Sequence, residues 1–428
     1  MKLRASNIKL KGDKVIWIVF ILLSVLSIVE VFSAMGNLVY SNQVPANPIT
    51  LLAKHFLMIA AGFVVAYTFQ NFRYTLLSKL LKPTLILSVL LVIVAFAIGM
   101  YYDSLKTLQQ DDVRLTGRWI WLPMGFSFQP VEMVKYVTIM YVAMQLTLNN
   151  DKIRTYAVFK KLIITISVVC VFVLASNASN AIILFTTSFI LLFIAGAKIK
   201  HLINTLLLLA AAGTVVVLLV TAFPQLGNKP PLGRVVTVIN RVKGNNETEN
   251  GDVKDRTHQT HVTQVAIGNA GVLGLGIGNS VMANHQKQAH DDFLFMVIVE
   301  EGGFLLGFVV LLLYMVLVYR CFAIAKKAKG LFGALVALGV GLVFVIQALI
   351  HISVSVGLMP VTGQTLPFIS KGGTSQLFAC FALGVVLNIS ATGEKDDVYK
   401  DDLQDKTDVT SEEPNESTDE EKEGTDQK

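Results

Sequence analysis

The stretch QAHDDFLFMVIVEEGG, from Gln288 to Gly303, carries two carboxylate pairs, Asp291–Asp292 and Glu300–Glu301, separated by seven apolar residues. Acidic side chains inside apolar segments are rare and are kept for function or for pairing with one another. A carboxylate at the mouth of an apolar helix can serve as general base toward a hydroxyl group. The bland reading of the same residue is a helix cap or a partner of the helix dipole. At 1.5 Å per residue the glutamates lie roughly 12–14 Å further in than Asp292, too deep for a water-borne sugar. They are expected to pair with Lys135 or to hold an internal polar network.

The elements that must position these acids are apolar. Of 428 residues, 53% are hydrophobic and 15% charged, whereas soluble domains are about a quarter charged. Stretches long enough to cross about 30 Å of hydrocarbon fall near 15–35, 51–69, 83–101, 130–148, 162–176, 179–197, 202–223, 292–318, 331–354 and 374–392. The fold class is therefore an all-α integral membrane protein of about ten transmembrane helices with one large extracytoplasmic loop. No cleavage site follows the first apolar run, which is expected to remain as a helix. The polar residues 176–180 read as a tight hairpin or as one broken element.

Lysine and arginine gather at the N-terminus and around 73–82, 152–161, 198–200 and 320–329. By the positive-inside rule these segments and both termini face the cytoplasm. The expected organisation is a cytoplasmic N-terminus (1–14), a ten-helix membrane domain (15–393) containing the extracytoplasmic loop 224–291, and a cytoplasmic tail (394–428). The tail holds fifteen acidic residues against five lysines and reads as a disordered, solubilising extension. Three cysteines, Cys170, Cys321 and Cys380, match no metal spacing and predict neither disulfides nor zinc.

Glycines at 268, 271, 274, 276 and 278 suggest a nucleotide cradle, but no strand precedes them and no Lys-Ser/Thr pair closes them. A close-packed, re-entrant membrane element is the better reading. The remaining unusual polar segments share the outer side: Asp291 and Asp292 begin the eighth span, Gln129, Glu132 and Lys135 begin the fourth after Arg114 and Arg118, and 362–375 precedes the tenth. Nucleotides are cytosolic, so group transfer at this face needs a substrate that carries its own activation, and a lipid-linked donor meets that need. It requires a base, Asp292 or Asp291, and cations for a pyrophosphate leaving group, for which Arg118, Lys135 and Arg241 are candidates. Arg118 beside Trp119 and Trp121 also suits an interfacial anchor. His258 and His261 lack the carboxylates of a metal site, and His351 reads as a buried hydrogen-bonded residue. Residues 367–370 followed by Gly372–Gly373 read as a turn with close backbone approach.

Three of these segments together resemble the SEDS family of shape, elongation, division and sporulation proteins: GRWIWLPMGFSFQPVEMVKY (117–136), AHDDFLFMVIVEEGG (289–303) and PVTGQTLPFISKGGTS (360–375). The resemblance covers about 15–392. Val131 replaces the family's usual Ser, Lys371 its Tyr and Asn177 its Asp, and the Pro ahead of the Ala-His-x-Asp segment is missing. Thr-Leu-Pro at 365–367 looks more like the division subfamily than the elongation subfamily.

The resemblance implies a peptidoglycan glycosyltransferase that polymerises lipid II at the outer face of the bacterial inner membrane, at the division septum. It places the essential aspartate on Asp292 and matches Arg118, Gln129, Glu132, Lys135, Glu301 and Ser370 to family positions, with Arg241 added as a cation candidate. Implied partners are lipid II, the growing glycan strand, a class B penicillin-binding protein transpeptidase and other divisome proteins. No nucleic acid is expected. No cofactor is required by the residues, although a divalent cation (Mg or Mn) could share the leaving-group charge. The competing classes are an elongation polymerase, a lipid II flippase or other transporter, and a non-catalytic divisome scaffold. No inverted repeat of the transporter type is visible.

Overall fold

The computed structural model describes residues 10–40, 48–72, 74–105, 120–122, 126–222, 261–285 and 289–392. Ten long helices account for most of it, each covering one of the apolar stretches: α1 (Lys14–Tyr40), α2 (Pro48–Asn71), α3 (Tyr74–Leu105), α4 (Pro130–Leu148), α5 (Tyr156–Ser176), α6 (Ala178–Ile194), α7 (Ile199–Ala222), α8 (Leu294–Lys327), α9 (Leu331–Ser355) and α10 (Thr374–Thr392). A further helical stretch covers 261–269. Prolines open α2 and α4, where the missing N–H is not needed. Asn177 separates α5 from α6 by accepting from the N–H groups of Ser179 and Asn180 at 3.1 and 3.4 Å. The 176–180 segment is thus a capped hairpin, not one broken helix.

Eight of the ten helices are long and apolar enough to cross a membrane. The other two, α4 with Glu132 and Lys135 and the 17-residue α6, lie inside the bundle, packed against each other and against α9. The apolar windows of α9 and α10 are 61% and 72% buried, whereas that of α7 is 6% buried. A helix of such composition with almost no protein around it must face lipid, so the chain is a multi-pass membrane protein. α10 lies against α2, α8 against α9 and α1, and α3 against α4.

One element departs from an all-α reading. Ile120–Leu122 and Phe126–Phe128 pair antiparallel, with Ile120 opposite Phe128, as a small hairpin just ahead of α4. Three-residue strands are too short to show alternation in sequence. At the other end of the bundle, residues 10–13 pack onto the helices. Asp13 caps α1 through the N–H groups of Val15 and Ile16 (2.9 and 3.2 Å) and forms an ion pair with Arg320 of α8. Gly12, at φ +82°, abuts the Leu387 carbonyl where a Cβ would not fit.

A candidate active site at one end of the bundle

Between α9 and α10 the chain runs through 356–373 without regular structure, and that segment is held by side chains from four helices. Carbonyl oxygens accept hydrogen bonds in turn: Thr362 from Ser179 of α6 (3.2 Å), Gln364 from His351 of α9 (2.7 Å), Thr365 from Gln347 of α9 (2.9 Å), Pro367 from Tyr314 of α8, and Ile369 from Ser27 of α1. Buried carbonyls outside helices need such partners. His351 completes its role by accepting from the Phe295 N–H at 3.4 Å, which makes it the buried hydrogen-bonded residue expected. Phe368 adopts φ +66°, a conformation unusual for a bulky side chain. Its ring is fixed edge-on against Phe20 and Phe344, at 5.3 and 4.9 Å, so the surrounding packing over-determines the strained backbone.

The acidic turn rests on this frame. The Lys371 N–H donates to the His290 carbonyl at 3.1 Å, joining the 289–292 turn to the 356–373 segment. A Cβ added at Gly363, itself at φ +68°, would lie 3.7 Å from Asp292 Oδ2. Asp292 is half-buried. The aspartates do not begin α8 as expected. The helix starts at Leu294 with Phe293 in the N-cap position and no side-chain cap there, so Asp292 is not the N-cap residue. Asp291 keeps 37% of its side-chain exposure, yet its Oδ1 is buried without a hydrogen-bond partner. Burial pushes its carboxyl up to about 7, with the Lys371 charge pulling the other way. His290 lies 3.4 Å from Asp291 and is lowered to about 3 by burial and by Lys371. The contact is therefore between a neutral imidazole and a carboxyl. Lys371 itself is lowered by burial, raised by Asp291 and lowered again by Lys54.

The glutamate pair is occupied by structure. Glu300 accepts from the N–H groups of Val281 and Met282, both at 3.1 Å, and from the Ser280 hydroxyl. Glu301 accepts from the N–H groups of Gly278 (2.9 Å) and Ser280 (3.3 Å) and from Ser33 of α1. At this level α8 is broken: Gly303 has φ 72° and ψ −178°. The backbone opened there pairs with the glycine-rich segment. Leu275 and Gly276 donate to the carbonyls of Glu300 and Glu301 at 2.9 Å, while Phe304 and Leu305 donate to those of Gly271 and Val272 at 3.1 and 3.2 Å. A Cβ on Gly274 or Gly303 would fall 2.2 or 2.1 Å from a carbonyl oxygen of the other strand. The polar-network alternative for the glutamates is the one found. The alternative pairing with Lys135 is not, because Lys135 has other partners.

Lys135 is 1% exposed and donates to Glu132 at 2.7 Å, to Gln347 at 2.8 Å and to Asn180 at 3.5 Å; Asn180 in turn donates to Glu132 at 3.2 Å. A charge buried this completely is held by its partners, and here they tie α4 to α6 and α9. Gln347 extends the network to Thr365, and so to the frame beneath Asp292. Ser370 is 2% exposed and its hydroxyl accepts from the Leu366 N–H at 2.9 Å, closing the 366–370 turn. Gln129 is 7% exposed, with its N–H on the Thr374 hydroxyl at 3.2 Å. Arg118, Arg241 and His258 lie outside the described residues. Among the described residues no three His, Cys, Asp or Glu side chains gather as a metal-binding group, and no step below uses a metal ion. Lys371 was missed as a site residue, although its departure from the family pattern was the available signal. The break at Gly303 had only a Gly-Gly pair to announce it.

The family model described as "Cell cycle protein", spanning FtsW, RodA and SpoVE, matches residues 13–395. A probable peptidoglycan glycosyltransferase FtsW of Trichlorobacter lovleyi is 29% identical over 382 residues, covering 89% of this chain and 93% of its own. Stage V sporulation protein E of Bacillus subtilis is 27% identical over 389 residues, covering 89% and 98%. Among solved structures, a chain of a peptidoglycan synthase complex superposes with TM-score 0.66 at 23% identity over 91% of this chain and 100% of that one. RodA of Thermus thermophilus superposes with TM-score 0.59 at 20% identity over 90% and 98%. The structural likenesses show the shared fold, and the family match over nearly the whole membrane domain shows the kinship: the chain is a member of the FtsW, RodA and SpoVE family of cell cycle proteins.

Proposed function

We propose that this protein is a peptidoglycan glycosyltransferase that polymerises lipid II, with Asp292 as general base. The observation that carries the reading is the seating of Asp292, half-buried beside Gly363, in a turn hydrogen-bonded through Lys371 to a loop that four helices hold rigid. A base held in one place is what proton transfer in a transition state requires. The names of the curated relatives supply the reaction class. Asp292 takes the proton from the 4-hydroxyl of the GlcNAc unit of an acceptor lipid II. The oxygen attacks the anomeric carbon of the MurNAc at the end of the lipid-linked strand, forming the β linkage with inversion as the bond to undecaprenyl pyrophosphate breaks.

Of the matched residues, Lys135, Glu132, Ser370 and Glu301 act in this reading by holding the frame and not by touching substrate. Arg118 and Arg241 remain the cations assigned to the leaving group, and Gln129 remains assigned to substrate binding. The protein sits in the bacterial inner membrane with both termini cytoplasmic and works at the septum beside a class B penicillin-binding protein that cross-links its product. The division assignment rests on Thr365-Leu366-Pro367 and on the FtsW relatives. The test is polymerisation of purified lipid II in liposomes by the chain with its transpeptidase partner. Wild type should yield long glycan strands and Asp292→Asn none, with lipid II binding kept. Strands from both proteins would remove Asp292 from its role.

A further inference from the structure

The glycine-rich segment that clasps the break in α8 carries a row of uncovered apolar side chains. Val272, Leu273 and Ile277 are 70%, 76% and 65% exposed, and Leu275 and Val281 are 43% and 52% exposed. On the neighbouring face of α8, Phe304, Leu305 and Phe308 are also 53%, 55% and 61% exposed, so segment and helix present one continuous apolar surface.

The depth of that surface follows from α8. Arg320, paired with Asp13 at the start of α1, marks one edge of the apolar layer. At 1.5 Å per residue Gly303 lies about 26 Å further along the helix, within a hydrocarbon layer of about 30 Å. Gly271 and Val272 are bonded to Phe304 and Leu305, one and two residues nearer to Arg320 than Gly303. Non-helical backbone is tolerated at this depth only where its polar groups are satisfied by protein. That condition is met for the N–H groups of Leu275, Gly276, Gly278, Ser280, Val281 and Met282, all of which end on oxygens of Glu300 or Glu301.

We propose that residues 271–278 form a wedge inserted into the outer leaflet, whose partner is the hydrocarbon chains of bilayer lipid, with the main-chain carbonyls of Glu300 and Glu301 and the Glu301 carboxylate serving as its internal backbone acceptors. The wedge anchors the chain that leads to the 289–292 turn at a fixed depth. This inference rests on the helix architecture and not on the proposed chemistry, so it can fail while the glycosyltransferase reading stands.

The full-length chain in phosphatidylcholine–phosphatidylglycerol liposomes provides the test, with Cys170, Cys321 and Cys380 replaced by alanine and a nitroxide placed by Leu273→Cys. Phe308→Cys on α8 is the lipid-facing reference and Lys200→Cys the water-facing one. The label at 273 should collide with oxygen severalfold more than with a water-soluble nickel chelate, as at 308. Nickel collisions like those at 200 would place the segment in water and overturn the wedge. Low collisions with both reagents would show a covering protein surface, a second copy included, and would overturn it equally. If the cysteine-free background does not fold, Leu273→Trp in the native chain gives the same reading: lipids brominated along their acyl chains should quench the added fluorescence, and a water-soluble quencher acting alone would reject the proposal.

Discussion

Asp291–Asp292 and Glu300–Glu301 are two acid pairs on one segment, separated by about two turns of helix, and the protein treats them oppositely. Each glutamate is 1% exposed, and together the pair accepts from four N–H groups and two hydroxyls. The aspartates sit half-buried in a turn, and the neighbouring loop carries a glycine where a Cβ would stand at van der Waals distance from Asp292. Carboxylates in the same stretch of chain thus divide into a pair that holds the backbone of a neighbouring segment and a pair seated in a turn. Hydrogen bonds from buried N–H groups favour the charged form of a carboxylate and commit it to holding backbone, whereas a general base must stand within reach of the substrate hydroxyl.

The sharpest way to break this contrast is to neutralise one acid at each end. Asp292→Asn should lower polymerisation by about 100-fold or more, the range in which a lost general base falls, with the melting temperature unchanged. Glu301→Ala should do the reverse in kind. It strands the Gly278 and Ser280 N–H groups, at about 1–3 kcal/mol for each buried donor left unpaired, and the loss should appear first as a lower melting temperature in detergent. Loss of turnover with unchanged stability in Glu301→Ala would put that residue among the reacting groups and erase the distinction. Gly303→Ala tests the same clasp from its backbone. Its φ 72° with ψ −178° is a conformation essentially confined to glycine, which costs a residue with a Cβ on the order of 1–3 kcal/mol, and overlap with the Val272 carbonyl adds to that, so stability should fall again.

The smallest effect concerns Asp291. Its carboxyl is raised to about 7 in the folded protein, above an unfolded value of about 3.9, so the folded state holds this proton more tightly. Its contribution to stability is full below about pH 4 and is lost as pH rises toward 7. Partial exposure keeps the effect modest. Asp291→Asn should remove that slope from the melting temperature between pH 4 and 7 and leave polymerisation largely intact. A slope unchanged by the substitution would show that Asp291 ionises like an exposed carboxyl. Should polymerisation collapse in Asp291→Asn while Asp292→Asn stays active, the base has been assigned one residue too late.

Much of the fold was legible because crossing hydrocarbon imposes a length and a composition that a single sequence displays. The ten apolar runs predicted all ten long helices, and Ser176 to Asn180 predicted the break between α5 and α6. The grouping of Asp292 with 360–375 at one end of the bundle was legible for a related reason: polar residues at the ends of apolar runs can meet only where those runs end together. The partners of Lys135 and of Glu300 and Glu301 were not legible. Lys135 meets Gln347 across 212 positions and Glu301 meets Ser33 across 268, and no local pattern encodes such separations. The glycines of 268–278 were read as a close-packed, re-entrant element, but what they pack against was not legible, since it depends on a helix broken at Gly303 whose opened backbone pairs with theirs.

By itself, then, the sequence determined where the long apolar helices lie and at which of their ends the unusual polar residues fall, because hydropathy and charge placement are local properties. Tertiary structure alone decided which groups engage each buried charge. Whether a buried carboxylate or ammonium group is available depends on the donors and acceptors brought to it, and those that hold Glu300, Glu301, Glu132 and Lys135 come from segments distant in sequence.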